Sequence, residues 1–147
     1  MLPGFEPVAT FRIEVGAPVE VGPGRRMVPV LGGTVEGARL NGLILPGGAD
    51  WQSIGADELL TISARWILQT GNGARILVET PGLRRTSRPA TAQLSPVKGS
   101  DPAAPYFRVA PRFSTTEPEF AWLQQSLFVG LGVKASDGVE FEVFALL

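Results

Sequence analysis

Apolar and polar residues alternate with a period of two along much of this chain. The clearest case is Ile62, Ala64, Trp66 and Leu68 interleaved with Ser63, Arg65, Ile67 and Gln69. Successive side chains of an extended strand point to opposite faces, so this spacing gives one apolar face and one mixed face. Similar runs rich in Val, Ile, Leu, Phe and Thr predict strands near 8–15, 19–21, 26–31, 33–36, 40–45, 59–69, 75–79, 108–113, 127–134 and 139–147. The 18 glycines and 13 prolines fall largely between these runs and mark turns.

Two hairpins carry register. In Thr70-Gly71-Asn72-Gly73-Ala74 a three-residue loop with a left-handed glycine pairs Gln69 with Arg75, Ile67 with Leu77, and Arg65 with Glu79. Residues directly opposite share a face, which predicts a cross-strand ion pair between Arg65 and Glu79. A turn at Ser136-Asp137-Gly138 pairs Lys134 with Glu140, Val133 with Phe141, and Leu131 with Val143. One short helix is expected over 117–125, capped by Ser114 or Thr116 and held on the sheet by Phe120, Trp122 and Leu123. Residues 82–105 lack apolar periodicity and read as a long loop; its cluster Arg84, Arg85 and Arg88 is a solvated group or, alternatively, a lid over an anion.

So many strands leave open edges unless the sheet closes, which predicts an all-β fold: one domain over 1–147, a small closed antiparallel β-barrel with one short helix and an interior ligand cavity. The cavity is expected if the mixed face of 62–69 turns inward, leaving the apolar face for the helix or another subunit to cover.

Composition narrows the chemistry. With no cysteine and no histidine, the chain lacks thiolate and imidazole nucleophiles and the usual zinc ligands, so no metal and no cofactor is expected. Thirteen basic and fourteen acidic residues give a net charge of -1, which provides no general attraction for nucleic acid or an anionic membrane. The N-terminal residues lack a basic start followed by an apolar run, and no uncharged stretch nears bilayer length, so the location is read as cytoplasmic.

The segment Leu45-Pro46-Gly47-Gly48-Ala49-Asp50-Trp51-Gln52 places a carboxylate, an indole and an amide directly after a glycine turn. Asp50 has two readings. Shielded by Trp51, its pKa rises and it serves as a general acid or base; capping a turn, it accepts backbone hydrogen bonds and its pKa falls. Arg65 and Glu79 are either an inward clamp, binding an anionic oxygen and moving a proton, or an outward surface pair. Tyr106 and Arg108 share a face of one strand and could polarise a substrate oxygen, with Arg112 near, or Tyr106 simply packs. Trp51, Trp66 and Trp122 line a pocket or fill the core. Gly32-Gly33 and Gly47-Gly48 have neither the spacing nor the following helix of a phosphate loop.

The segments RMVPVLGG at 26–33, LPGGADWQ at 45–52, Arg65-Trp66 with the TGNGA turn, Tyr106-Phe107-Arg108, Pro111-Arg112-Phe113, Trp122-Leu123 and Leu127-Phe128-Val129-Gly130 closely resemble the family called domain of unknown function 3237, in the same order over nearly the whole chain. The resemblance implies a compact, usually oligomeric barrel similar to that of allene oxide cyclase, a fold whose enzymes steer cyclisation or isomerisation of small organic molecules. Family members often carry a basic residue where this chain has Glu79-Thr80-Pro81, so its pocket charge is expected to differ.

Together these readings give a cofactor-independent lyase or isomerase, cyclases included, acting on a small hydrophobic or aromatic carbonyl compound. Asp50 or Glu79 moves the proton, Arg65, Arg108 and Tyr106 stabilise the developing oxyanion, and Trp51, Trp66, Arg112 and Trp122 shape the site. A non-catalytic binding barrel for a small organic ligand and a structural homo-oligomer are the alternatives.

Overall fold

A computed structural model describes residues 1–86 and 105–147. Their strands are β1 (Phe5–Val15), β2 (Val19–Gly22), β3 (Arg25–Glu36), β4 (Gly42–Ile44), β5 (Ala49–Ile54), β6 (Leu60–Thr70), β7 (Arg75–Arg85), β8 (Tyr106–Val109), β9 (Arg112–Ser114), β10 (Phe128–Ala135) and β11 (Gly138–Leu146). Every pairing is antiparallel. Following the hydrogen bonds from β3 through β1, β11, β10, β8, β7, β6 and β5 leads back to β3, which closes an eight-stranded barrel. The shorter β4 bridges β3 and β6 beyond the end of β5, β9 extends the β8 position along β7, and β2 lies outside the ring on β3.

The alternating pattern decides which side faces in. Ile62, Ala64, Trp66 and Leu68 of β6 are buried, as are Ile76, Val78 and Thr80 of β7, while Ser63, Arg65 and Ile67 are exposed. The apolar face therefore lines the interior, and the mixed face is the outer surface, contrary to the orientation on which a cavity was expected. Removing Trp66 and its apolar neighbours from water is the larger driving force, because an inward Arg65 would need a buried partner.

Edge-to-face aromatic pairs run along the axis: Trp66 on Phe11 at 5.4 Å, Phe11 on Phe113 at 6.3 Å, and Phe113 on Phe128 at 5.0 Å between ring centroids. Such pairs add roughly 0.5–1.5 kcal/mol each beyond the area they bury. The chain of rings ends at a short helix, Pro118–Gln124, whose Phe120 and Leu123 are buried in the barrel end. This helix has 3-10 geometry, shorter than the 117–125 expectation, and neither Ser114 nor Thr116 caps it. Instead the Glu117 N–H donates to Thr115 Oγ1 at 3.1 Å, and Pro118 supplies a first helical residue that needs no donor. Asn72 of the TGNGA turn donates to Glu119 at 2.6 Å and ties the β6–β7 hairpin to the plug.

The first hairpin has the expected register throughout, with Gly73 at φ +86°. The second slips by one residue: Ala135 pairs with Gly138, Lys134 with Val139 and Val133 with Glu140. Its turn is a two-residue loop, and Glu140 turns to Arg12 at 3.5 Å rather than to Lys134. Predicted strands 26–31 and 33–36 are one strand, in which Leu31 is the extra residue of a bulge opposite the Glu14–Val15 step of β1, and Gly32 and Gly33, at φ +153° and +143°, carry the chain past it. A Cβ on Gly33 would collide with the Arg12 carbonyl oxygen. Residues 82–85, expected to be loop, extend β7. Residues 87–104 of that loop, Arg88 included, lie outside the described residues.

Candidate functional site

At the barrel end opposite the helix, the interior opens into a pocket of about 330 Å³. Its walls are mostly apolar, among them Ile13, Val28, Val30, Ile62, Phe107 and Phe141. Volume and lining suit a small organic molecule. The polar groups enter from strands that bring them in phase with the apolar face: Arg26 from β3, Asp50 and Gln52 from β5, Thr80 and Arg84 from β7, Lys134 from β10, and Asp137 from the β10–β11 turn.

Strand register orders them in depth. Val28, Asp50, Ala64 and Thr80 lie opposite one another across four strands, and Arg26, Gln52, Ile62 and Gly82 form the next row toward the mouth. Arg84, opposite Leu60, follows one row further out. Trp66, at 1% exposure, is the innermost β6 residue of the lining and forms the floor.

Gly47 and Gly48 make this arrangement possible. Gly47 turns the chain at φ +110°, and Gly48 lets β5 press onto β6, since a Cβ there would collide with the Arg65 carbonyl oxygen and stand 2.7 Å from Trp66 Cβ. From that contact the strand alternates Asp50 in, Trp51 out, Gln52 in.

Asp50 is held at both oxygens. Gln52 Nε2 donates to Oδ2 at 2.7 Å, and the Ser63 N–H donates to Oδ1 at 3.1 Å. Gln52 in turn accepts from Arg26 Nε at 2.7 Å, which fixes its amide orientation and links guanidinium to carboxylate through one side chain. Burial raises the Asp50 carboxyl above its ordinary value of 3.8, outweighing the lowering effects of Gln52, Ser63 and the Arg26 charge. The barrel wall provides this shielding; Trp51 is 56% exposed on the outside and does not.

Of the other residues assigned catalytic or binding roles from sequence, Trp66 alone lies in this pocket. Arg65, Glu79 and Arg112 do come together, in one cross-strand row on the outer surface. Even so, among the described residues the ion pairs are those of Arg12 with Glu36 and Glu140, so the expected Arg65–Glu79 bridge is not formed. Tyr106 is outside too, beneath the guanidiniums of Arg85 and Arg108 at 4.3 and 5.0 Å from its ring centroid. Trp122 belongs to the plug at the far end, against Phe128 and under Arg39. The alternation explains these placements: Val78 of β7 and Phe107 of β8 are buried in the interior, so their neighbours Glu79, Tyr106 and Arg108 stand on the opposite face.

Arg26 and Lys134 were not expected as pocket groups; Gln52 stood in the segment around Asp50 without a role of its own, and Arg84 was expected as a solvated group or a lid. The signal for Arg26 and Gln52 was present, since Arg26 is in phase with Val28 and Val30, and Gln52 is two residues from Asp50. Among the described residues no group of three or more carboxylates converges to hold a metal ion.

Fold and pocket define a closed eight-stranded antiparallel barrel with one carboxylate-bearing open end. The chain belongs to the family described as protein of unknown function, DUF3237, which matches residues 3–146. A UPF0311 protein of Rhodopseudomonas palustris is 37% identical over 153 residues, covering 100% of both chains. A crystal structure of a conserved protein of unknown function from that organism superposes with TM-score 0.86 at 36% identity, over 100% of this chain and 99% of the other. A barrel-like protein from Acinetobacter baumannii gives 0.84 at 35% identity, over 99% and 96%. A protein described as an enzyme from Penicillium herquei shares the fold, at TM-score 0.74 and 19% identity over 100% and 96%.

Proposed function

We propose that this protein is a cofactor-independent lyase or isomerase, cyclases included, that moves a proton on a small hydrophobic or aromatic carbonyl compound seated in the pocket. The observation that carries this reading is Asp50, a carboxyl with a raised pKa facing an apolar recess and oriented from both sides. A carboxylate that binds its proton more tightly is a stronger base, and its protonated form persists nearer neutrality as an acid. The Gln52 and Ser63 hydrogen bonds leave each oxygen a further lone pair for the substrate proton. Arg26 and Arg84 take the oxyanion-stabilising role expected of Arg65, Arg108 and Tyr106, since they face the pocket. The barrel of the Penicillium herquei enzyme agrees with this reading at the level of fold and no further.

The test is proton exchange at the α-carbon of aryl ketones, followed by NMR in deuterated water. The native protein is expected to accelerate exchange, and Asp50→Asn to slow it by roughly 10²–10⁴. Exchange that survives the substitution would remove Asp50 from the chemistry. A native protein that binds aryl ketones without any exchange would instead be a binding barrel. The same reading includes a homo-oligomer, supported by apolar residues on the outer surface.

A further inference from the structure

Three cations surround the mouth of the pocket, each in phase with the inward-facing residues of its own strand. Arg26 of β3 is in phase with the buried Val28 and Val30, Arg84 of β7 with Val78 and Thr80, and Lys134 of β10 with Phe128, Gly130 and Gly132. Around the closed ring, β3, β10 and β7 are three, two and three steps apart, so the cations encircle the opening. The chain as a whole has a net charge of -1, which makes this concentration of positive charge local. None of the three forms an ion pair with another described residue, and the carboxylates that share the lining are Asp50 and Asp137. Like charges gathered at an apolar opening repel one another and attract an anion.

The three differ in depth. Arg26 is tied to Asp50 through Gln52 by two hydrogen bonds of 2.7 Å. Arg84 lies one row further out, with its guanidinium 5.5 Å from the ring centroid of Phe107, which packs edge-to-face on Phe141 in the pocket wall. Lys134 stands at the rim, two residues beyond Gly132, whose missing side chain leaves room for the Phe107 and Phe141 rings.

We infer that the ligand brings a permanent carboxylate, held at the mouth by Arg84 and Lys134, on an aromatic body whose ketone points inward to Arg26 and Asp50. This rests on the proposed function and names the substrate class of that site. The planar fork of Arg84 can engage both carboxylate oxygens, and Lys134 adds a point charge. Arg84 then meets the charge that the substrate brings. Arg26 meets the charge that develops when Asp50 takes a proton from the carbon beside the ketone and the C–H electron pair passes into the enolate. Thr80, level with Asp50, is four residues from Arg84 on β7, roughly 13 Å of strand. Once Arg84 leans inward, that length suits an acid and a ketone on opposite sides of one ring better than an acid with its ketone on the adjacent carbon.

Two probes of one shape isolate the charge: 4-acetylbenzoate and its neutral analogue 4-acetylbenzamide. By calorimetry at low salt the native protein should bind the acid at least about tenfold tighter than the amide, with a preference that shrinks as sodium chloride is added. Arg84→Gln should weaken acid binding about tenfold and Lys134→Gln about twofold, both with the amide little changed. Retained amide binding shows in the same titration that each variant is folded, and the native comparison needs no variant at all. Equal affinity of the native protein for both probes, binding of neither, full acid affinity in either variant, or losses shared by both probes overturns the inference. If the acid is preferred as expected while aryl-ketone exchange is indifferent to Asp50→Asn, the catalytic reading alone fails. Exchange on acetophenone that depends on Asp50, with no preference for the acid, overturns only the carboxylate assignment.

Discussion

Asp50 and Gln52 divide one task, since the first carries the charge and the second decides how it is held. Because burial raises the Asp50 pKa, the folded protein binds that proton more tightly than the unfolded chain does. Its contribution to stability is therefore best below 3.8 and declines as pH climbs from there through the raised value, after which it is constant. Asp50→Asn removes this dependence, so its melting temperature should gain on the native protein over that window and stay higher at neutral pH. Parallel thermal melts against pH check this, and curves that never diverge would show the carboxyl to be unperturbed. Gln52→Leu raises the Asp50 pKa further, because Gln52 stabilises the charged form. The acid limb of any Asp50-dependent rate should then move to higher pH, with kcat falling about tenfold or more and KM changing little. A shifted KM with an unmoved limb would make Gln52 a binding group instead.

At the scale of elements, the glycine pair before Asp50 explains why this carboxylate faces inward. Gly48→Ala would drive a methyl group into the Arg65 carbonyl oxygen and Trp66 Cβ, forcing β5 away from β6 at the row below Asp50. A loss of about 2–4 kcal/mol in urea unfolding is expected, whereas Gly47→Ala, with open space around its Cβ and only its φ of +110° against it, should cost about 1–2. Equal costs would mean that backbone conformation and not strand contact is what matters there. Local features of this kind were legible in the sequence. The TGNGA turn fixed its own register because its loop length and left-handed glycine are set within five residues. The Ser136-Asp137 turn misled by one residue, because Gly138 already belongs to β11 and the loop is shorter than its composition suggests. Strand β5 was hidden since Ala49 to Ile54 alternates polar residues inward, a pattern that reads as loop until β3 and β6 are seen on either side. Which face of a strand turns inward is likewise set by partners distant in sequence, and this is what sent Arg65, Glu79, Tyr106 and Arg108 to the outside while drawing in Arg26 and Arg84.

For the whole molecule, closure disposes of the edges of the main ring but leaves an outer wall with apolar character of its own. One cross-strand row on that wall reads Val19, Met27, Trp51, Ser63 and Pro81 over five strands, with Val19 at 52% and Trp51 at 56% exposure. A monomer in water gains nothing from a tryptophan placed there, and contiguous apolar surface of this sort is characteristic of contact sites. A second copy of the chain is the occupant that the proposed homo-oligomer requires. Trp51 would be its anchor, as large aromatic side chains dominate the energetics of such contacts. The native protein should therefore elute with the mass of a dimer or larger assembly in light scattering, and Trp51→Glu should weaken association by at least about thirtyfold. Since Trp51 points away from the pocket, the same variant should keep the Asp50-dependent exchange on aryl ketones. Loss of both together would mean that the contact between copies helps shape the pocket, and a native protein that elutes as a monomer would end the oligomer reading.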